Sequence, residues 1–325
     1  MEPRIPVSPS ERIETLLCNM ALTGFQGRRI GESFQVWQSM IEDPDCTIFL
    51  GLSGAMIPAG MQEILVSLVK NHYVDVIVST GANIFHDICE HLEVRHYLGH
   101  HEVDDNELFS QGIDRIYDVF AYEKEFRDID LKIAEFSIEN SPFKGSSREY
   151  IKKFGEWMID LSGHNHSLLG SCIDEGIPVF IPALCDSSIG IGLLIARKKG
   201  SDVIIDQILD IDEIVKYVEN SQKTGVVYIG GGVPKNFIQQ TQVISSIHGK
   251  GNEGHNYAIQ FTTDAPHWGG LSGCTFEEAI SWGKEHIECK KVQCFCDATI
   301  ALPFVVSGLL SAGVKRKKRH NCINF

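Results

Sequence analysis

A chain of 325 residues, 43% hydrophobic and 22% charged, has enough apolar content to bury a sizeable core, as one large α/β domain or two smaller ones. Its formal net charge of −14 at pH 7 disfavours a nucleic-acid binder, which needs a basic surface, and suits a cationic ligand. No apolar run of about eighteen residues occurs, and the start Met1-Glu-Pro-Arg4 lacks a signal pattern, so the sequence predicts a cytoplasmic protein without a membrane segment.

Segment 1–22 is helical in pattern over 13–20, and apolar residues recur at helical spacing over 28–42. The run 46–50 is short, apolar and β-prone, and leads at once into Gly51-Leu-Ser-Gly54. A helical run over 60–70, a β-prone run over 74–78 and the loop Ser79-Thr-Gly-Ala82 repeat that pattern. In the polar middle, 96–140, His96, His100 and His101 lack a metal-ligand spacing with a matching partner, as do His164 and His166 further on, and they read as solvated or hydrogen-bonding side chains. Segment 140–147, with Ser, Pro and Gly together, reads as an internal linker within one domain.

Beyond it the alternation resumes. A strand over 178–181 leads into the loop Pro182 to Gly190, followed by a β run over 203–205 and a helix over 211–219. A buried strand over 226–229 runs into Gly230-Gly-Gly232, with Pro234 near the start of a helix over 235–247. Strands over 257–261 and 292–296 complete the set. Strand, small-residue loop and helix, without internal repeat, predict a doubly wound, mostly parallel, Rossmann-like α/β sheet in a single large domain over 23–312. Its loops leave the carboxyl ends of strands, where such sheets bind ligands. The tail 313–325, with Lys315-Arg-Lys-Lys-Arg319, reads as a solvated basic terminus. Ten cysteines, none in a Cys-x-x-Cys pair and several in apolar runs, read as reduced thiols and not as a zinc site or disulfide framework.

The chemistry concentrates in 269–284, a glycine-rich loop leading into a short helix and a lysine. Thr275, three residues before Glu278, has the capping-box pattern and predicts that the helix starts there. Glu278 and Trp282 then share a face, with Ser281 and Lys284 on the neighbouring row, so a carboxylate, an indole and an amine converge in about two turns. The same spacing also fits an ordinary helix whose final lysine suits the helix dipole. Gly230-Gly-Gly232 offers the close backbone approach and helix N-terminus that a dinucleotide pyrophosphate needs, although any tight strand-to-helix turn can use glycines.

The run Glu278-Ala-Ile-Ser-Trp-Gly-Lys284, with Asp297-Ala-Thr299, resembles the deoxyhypusine synthase family. So do Thr23-Gly-Phe-Gln26, Cys46-Thr-Ile-Phe-Leu-Gly51, Gly112-Ile-Asp-Arg-Ile116, Ile177-Pro-Val-Phe180 with Pro182-Ala-Leu184, and Gly230-Gly-Gly-Val-Pro-Lys235. The likeness spans 23–306, and Trp268-Gly-Gly-Leu-Ser-Gly273 with Val233-Pro-Lys-Asn-Phe237 resembles the deoxyhypusine synthase-like branch of bacteria and archaea.

The resemblance implies an NAD-dependent transferase that moves the 4-aminobutyl group of spermidine, or a related polyamine, to an acceptor amine on a protein lysine. Lys284 holds the group as an imine on the way. NAD takes a hydride from the carbon bearing the amine, making an inert C–N bond electrophilic. The family's cofactor loops match Ser53 and Gly54; Thr80, Gly81 and Ala82; Asp186; Gly231 and Gly232; Thr263 and Asp264; and Asp297 and Ala298. On that reading Trp282 would cover the alkyl chain and Glu278 would pair with the ammonium charge, and the resemblance implies a homotetramer with sites between subunits.

Three departures bear on the reading. After Gly-Gly-Gly-Val-x-Lys the family enzyme usually carries a His-His pair whose first histidine moves a proton, whereas this chain has Asn236-Phe237. An amide does not exchange a proton near neutral pH, so His267 takes that role or the step at Asn236 differs. Two acidic positions that hold the polyamine's ammonium ends are Ile191 and Leu271 here, which implies a less charged or shorter donor, or one held by other groups such as Asp264. The alternatives are a homospermidine synthase-like enzyme with a free diamine acceptor, and an inactive NAD-binding partner subunit. Retention of Lys284 argues against the second.

Overall fold

The computed structural model describes residues 3–250 and 254–316. The chain is α/β, and its described residues group into two compact units, one drawn from Met1–Ser53, Ser67–Val78 and Ile211–Phe325, the other from Gly54–Val66 and Ser79–Asp210.

The first unit is built on the strands Cys46–Leu52, Val76–Ser79, Lys223–Ile229, His255–Thr262 and Glu285–Phe295, which lie side by side in the order second, first, third, fourth, fifth. The pairs first–third, third–fourth and fourth–fifth are parallel. Cys46–Leu52 is buried at every position, and Lys223–Ile229 at all but its first, the unalternating pattern of a strand covered on both faces.

Two glycines show what covers each face. A Cβ on Gly225 would come 2.6 Å from Met40 Sδ on the helix Phe25–Glu42. One on Gly51 would meet the Tyr228 ring at 2.9 Å and Ile238 Cδ1, on the helix Gly232–Ile247, at 3.3 Å. Gly225 pairs with Ile48, whereas Gly51 lies three positions further along the strand, so the two helices cover opposite faces. That is the doubly wound arrangement expected from the sequence. The helices Ile13–Met20, Phe25–Glu42 and Ala298–Ser311 pack on one another, closing over the fully buried Trp37 and Leu17.

The second unit carries the helices Gly81–His91, Glu123–Glu139, Ser147–Ser162, Leu168–Glu175 and Ser188–Lys198 and the short strand Val179–Phe180. It also has an antiparallel three-stranded sheet of Tyr97–Leu98, Val119–Tyr122 and Ile113–Ile116. The linker expected at 140–147 is instead the strand Phe143–Gly145, paired in parallel with Val203–Ile205. It is followed by Ser146, whose hydroxyl accepts from Glu149 N and caps the next helix.

Several boundaries differ from those expected. The last strand runs over Glu285–Phe295 and not from 292, because its first half is half-exposed and polar and has no apolar alternation to betray it. The helix expected from 235 starts at Gly232, with Pro234 in its first turn, where its missing N–H costs nothing. No helix among the described residues is long and apolar enough to cross a membrane. The basic run of the tail lies outside the described residues from 317 onward.

Candidate functional site

Strand order reverses between Cys46–Leu52 and Lys223–Ile229, and the register from Cys46↔Lys223 to Leu52↔Ile229 brings both carboxyl ends to one level. Such a switch point leaves a crevice beyond the strand ends. Ser53 and Gly230 begin the two loops there. Ser53 N donates to Ile229 O at 3.0 Å, and Ser53 Oγ to Gly231 O at 2.6 Å, fastening the loops together. Gly230 and Gly232 hold φ of 73° and 57°, in the left-handed region where a side chain is strained. At Gly231 the reason for glycine is space, since a Cβ would stand 2.5 Å from Ser272 Cα. Gly232 N donates to Ser272 Oγ at 3.0 Å, so the glycine loop and the 269–274 loop are one assembly.

That assembly rests on a buried amine that the sequence reading did not single out. Lys235 is 1% exposed, and its Nζ donates to Gln260 Oε1 at 3.0 Å, to Cys274 O at 2.7 Å and, more weakly, to Leu271 O at 3.4 Å. Burial pushes its pKa down to about 8. Gln260 Nε2 in turn donates to Gly230 O at 2.8 Å and Ser272 O at 2.7 Å, while Gln293 Nε2 donates to Gln260 Oε1 at 2.8 Å and Cys274 O at 3.0 Å. Glutamines inside otherwise apolar strands were the available signal: Gln260 interrupts Tyr257-Ala-Ile-Gln-Phe261.

Thr275 caps the short helix Phe276–Ser281 as expected, its Oγ1 accepting from Glu278 N at 3.1 Å. Lys284, however, lies beyond that helix and not on a neighbouring row of it. Gly283 takes φ of 67°, with Gly283 N donating to Ile280 O and Lys284 N to Ala279 O, the paired bonds of a Schellman stop. On the other side Lys284 O accepts from His255 N at 3.0 Å. The lysine backbone is thus pinned in a turn between helix and strand. Its half-buried side chain sends Nζ to Asn236 Oδ1 at 3.0 Å and sits 5.6 Å from the Trp282 ring centre, within cation–π range. Trp282 is 66% exposed and Glu278 is exposed, leaving both surfaces open to a ligand.

Directly after Lys284, Glu285 points inward. It is 1% exposed, its Oε1 accepts from Gln239 Nε2 at 3.0 Å, and burial raises its pKa to about 8, so it is a neutral acid at pH 7. Thr263, Asp264 and His267 stand exposed in the segment after His255–Thr262, with the His267 ring tilted against that of Trp268, centres 4.3 Å apart, in the turn Pro266–Trp268. Asp297 caps the helix Ala298–Ser311 by accepting from Thr299 N at 2.7 Å.

In the second unit Asn83, also unremarked in the sequence, organises the small-residue loops. Its Nδ2 donates to Gly54 O at 2.7 Å and Thr80 Oγ1 at 3.1 Å, and its Oδ1 accepts from Met56 N at 3.0 Å. Gly81 has no room for a Cβ, which would lie 2.3 Å from Ser187 Oγ, so the Thr80 loop and the loop of the exposed Asp186 abut. Ala82, in the first turn of its helix, is exposed.

The histidines of the middle segment are hydrogen-bonded or stacked. His96 lies between Glu90 Oε1 at 2.6 Å and His86 Nδ1 at 3.0 Å, and His164 stacks on His166. No group of three or more His, Cys, Asp or Glu that could hold a metal ion occurs among the described residues.

A family model described as deoxyhypusine synthase matches residues 15–309. "Probable deoxyhypusine synthase 2" of Methanosarcina mazei is 53% identical over 317 residues, covering 97% of this chain and 92% of that protein. "Deoxyhypusine synthase-like protein" of Chlorobaculum tepidum is 38% identical over 290 residues, covering 88% and 83%. Among solved structures, "a putative deoxyhypusine synthase from Entamoeba histolytica" superposes with a TM-score of 0.63 at 18% identity, covering 98% of this chain and all of that one, a likeness of fold.

Proposed function

The chain belongs to the deoxyhypusine synthase family, a family of aminobutyl transferases, and from that premise we propose that it is an NAD-dependent enzyme that carries an aminobutyl group on Lys284 from a polyamine to an acceptor amine. The observation that carries the proposal is the placement of Lys284. Its backbone is fixed in a Schellman turn, its amine is held 3.0 Å from the Asn236 amide oxygen, and it stands beside an exposed indole. A lysine retained only as a helix-end charge needs none of these constraints.

The residues at the switch point suit a dinucleotide. Two positive-φ glycines flank Gly231, whose missing Cβ allows close approach, at the N-terminus of a 16-residue helix. Ser53, Gly231, Gly232, Thr263, Asp264, Asp297 and Ala298, all in the first unit, are the residues we assign to NAD. Bound there, NAD would accept and later return the hydride at the carbon bearing the amine.

The chain's own residues do the rest. Lys284, unprotonated at the moment of attack, adds through Nζ to the activated carbon and displaces the leaving amine, then yields the group to the acceptor. Asn236 accepts a hydrogen bond from Nζ and so aims it, but an amide cannot take up a proton near neutral pH, and His267 is the group we assign to proton transfer. Trp282 covers the alkyl chain and attracts its cationic end, with Glu278 and Asp264 as counter-charges.

A protein lysine is the acceptor we favour. Asn236 beside Lys284, where the family enzyme usually carries a histidine, favours as a second reading a free diamine acceptor. Incubation with NAD and spermidine followed by borohydride reduction tests the chemistry, and product mass separates the two acceptors. Absence of any lysine adduct would count against both. The proposal includes a homotetramer, which a monomer mass in light scattering would contradict.

A further inference from the structure

Cys294 and Cys296 stand at the carboxyl end of Glu285–Phe295, the outermost strand of its sheet. Cys294 lies in the strand and Cys296 in the bend just past its end, which brings the two side chains together. Their sulfurs are 3.2 Å apart and both are free thiols. Cys294 is fully buried and Cys296 half-buried. From the neighbouring helix Phe25–Glu42, Gln26 Oε1 accepts from Phe295 N at 2.7 Å, holding the strand end in place, and the positive charge of Arg29 acts on Cys294. The hydrogen bond between the two sulfurs lowers the pKa of Cys296, against the opposing effects of burial and of the Asp297 carboxylate. The same bond, together with burial, raises that of Cys294. The accessible sulfur is therefore the nucleophile and the buried one its resolving partner.

We infer that Cys294 and Cys296 form a reversible dithiol–disulfide modification site that reacts with low-molecular-weight disulfides. In the first step the Cys296 thiolate attacks one sulfur of the small disulfide, breaking its S–S bond, forming a mixed disulfide and releasing one small thiolate. In the second, the Cys294 thiol gives its proton to solvent and its sulfur attacks Cys296 Sγ, releasing the second small thiolate. The dithiol is oxidised by two electrons and the small disulfide is reduced to two thiols. Cys18 and Cys185 are exposed but have no neighbouring sulfur described, so they stop at the mixed disulfide. Burial raises the pKa of Cys46, Cys89 and Cys172 and leaves them inert. The site adjoins Asp297, yet this chemistry stands whether or not NAD binds there.

The test treats the folded, fully reduced chain with glutathione disulfide, blocks remaining thiols with iodoacetamide and maps peptides by mass. The expected product is a peptide with Cys294 and Cys296 joined, carrying no glutathione and no alkylation, and restored by dithiothreitol. Cys294→Ser should accumulate glutathione on Cys296, and Cys296→Ser should leave Cys294 at least tenfold less reactive than the wild-type pair. Stable glutathione on Cys296 in the wild type, alkylation of both residues, or a bond from either to another cysteine would overturn the inference. Because the wild-type arm needs no substitution, misfolding of a variant cannot mask the result.

Discussion

The Lys284 amine donates a 3.0 Å hydrogen bond to the amide oxygen of Asn236, joining the turn before one strand to the helix after another. The bond fixes where the nitrogen points without supplying a base. Asn236→Ala should therefore slow adduct formation on Lys284 about tenfold, the worth of roughly 1.4 kcal/mol of positioning, with melting temperature nearly unchanged because Asn236 is only half-buried. Unchanged trapping kinetics would show that the amide does not orient the amine.

Lys235 should be a structural lysine. Its Nζ bonds Gln260 and the Cys274 carbonyl inside the core, so Lys235→Ala leaves a cavity and unpaired acceptors costing about 3 kcal/mol. Urea denaturation measures this, and a midpoint equal to wild type would contradict the assignment.

Glu285 predicts a pH signature. Its folded carboxyl titrates near 8 and its unfolded one near 4.5. The folded state thus holds the extra proton between those values, and the stability contribution, complete below about pH 4.5, is lost as pH rises through about 8. Glu285→Gln removes that dependence. Wild type should lose melting temperature relative to the variant from pH 5 to pH 8, and a difference constant with pH would contradict burial of the acid.

Gly231→Ala drives a Cβ to 2.5 Å from Ser272 Cα, so the glycine loop and the 269–274 loop must part. If NAD lies on that loop, a concentration about a hundredfold over Kd that stabilises wild type by about 2.7 kcal/mol should give a much smaller thermal shift in the variant. An equal shift would place the cofactor elsewhere.

Alternating strands and small-residue loops made the parallel sheet readable, because buried strands such as Cys46–Leu52 are apolar throughout. The cap at Thr275 was readable too, since a cap is local chemistry. Lys284 was misplaced onto the helix because Gly283 ends it with a positive φ, and a glycine after a tryptophan does not announce which conformation it takes. The polar start of Glu285–Phe295 hid its strand, and the roles of Gln260, Lys235 and Asn83 are long-range, set by loops that only tertiary structure brings within bonding distance. The Cys294 and Cys296 contact was not legible because it depends on the bend after the strand, which a Cys-x-Cys spacing does not announce.

The central claim is that Lys284 carries the transferred group, and borohydride trapping on wild type beside Lys284→Arg tests it most directly. With NAD and spermidine present, wild type should gain a reduced aminobutyl adduct mapping to Lys284. The Lys284→Arg variant should keep fold and NAD-induced thermal shift yet yield no adduct and no product, because a guanidinium with a pKa above about 12 forms no imine at neutral pH. Transfer persisting in Lys284→Arg, or a wild-type adduct mapping to another lysine, would contradict the covalent mechanism.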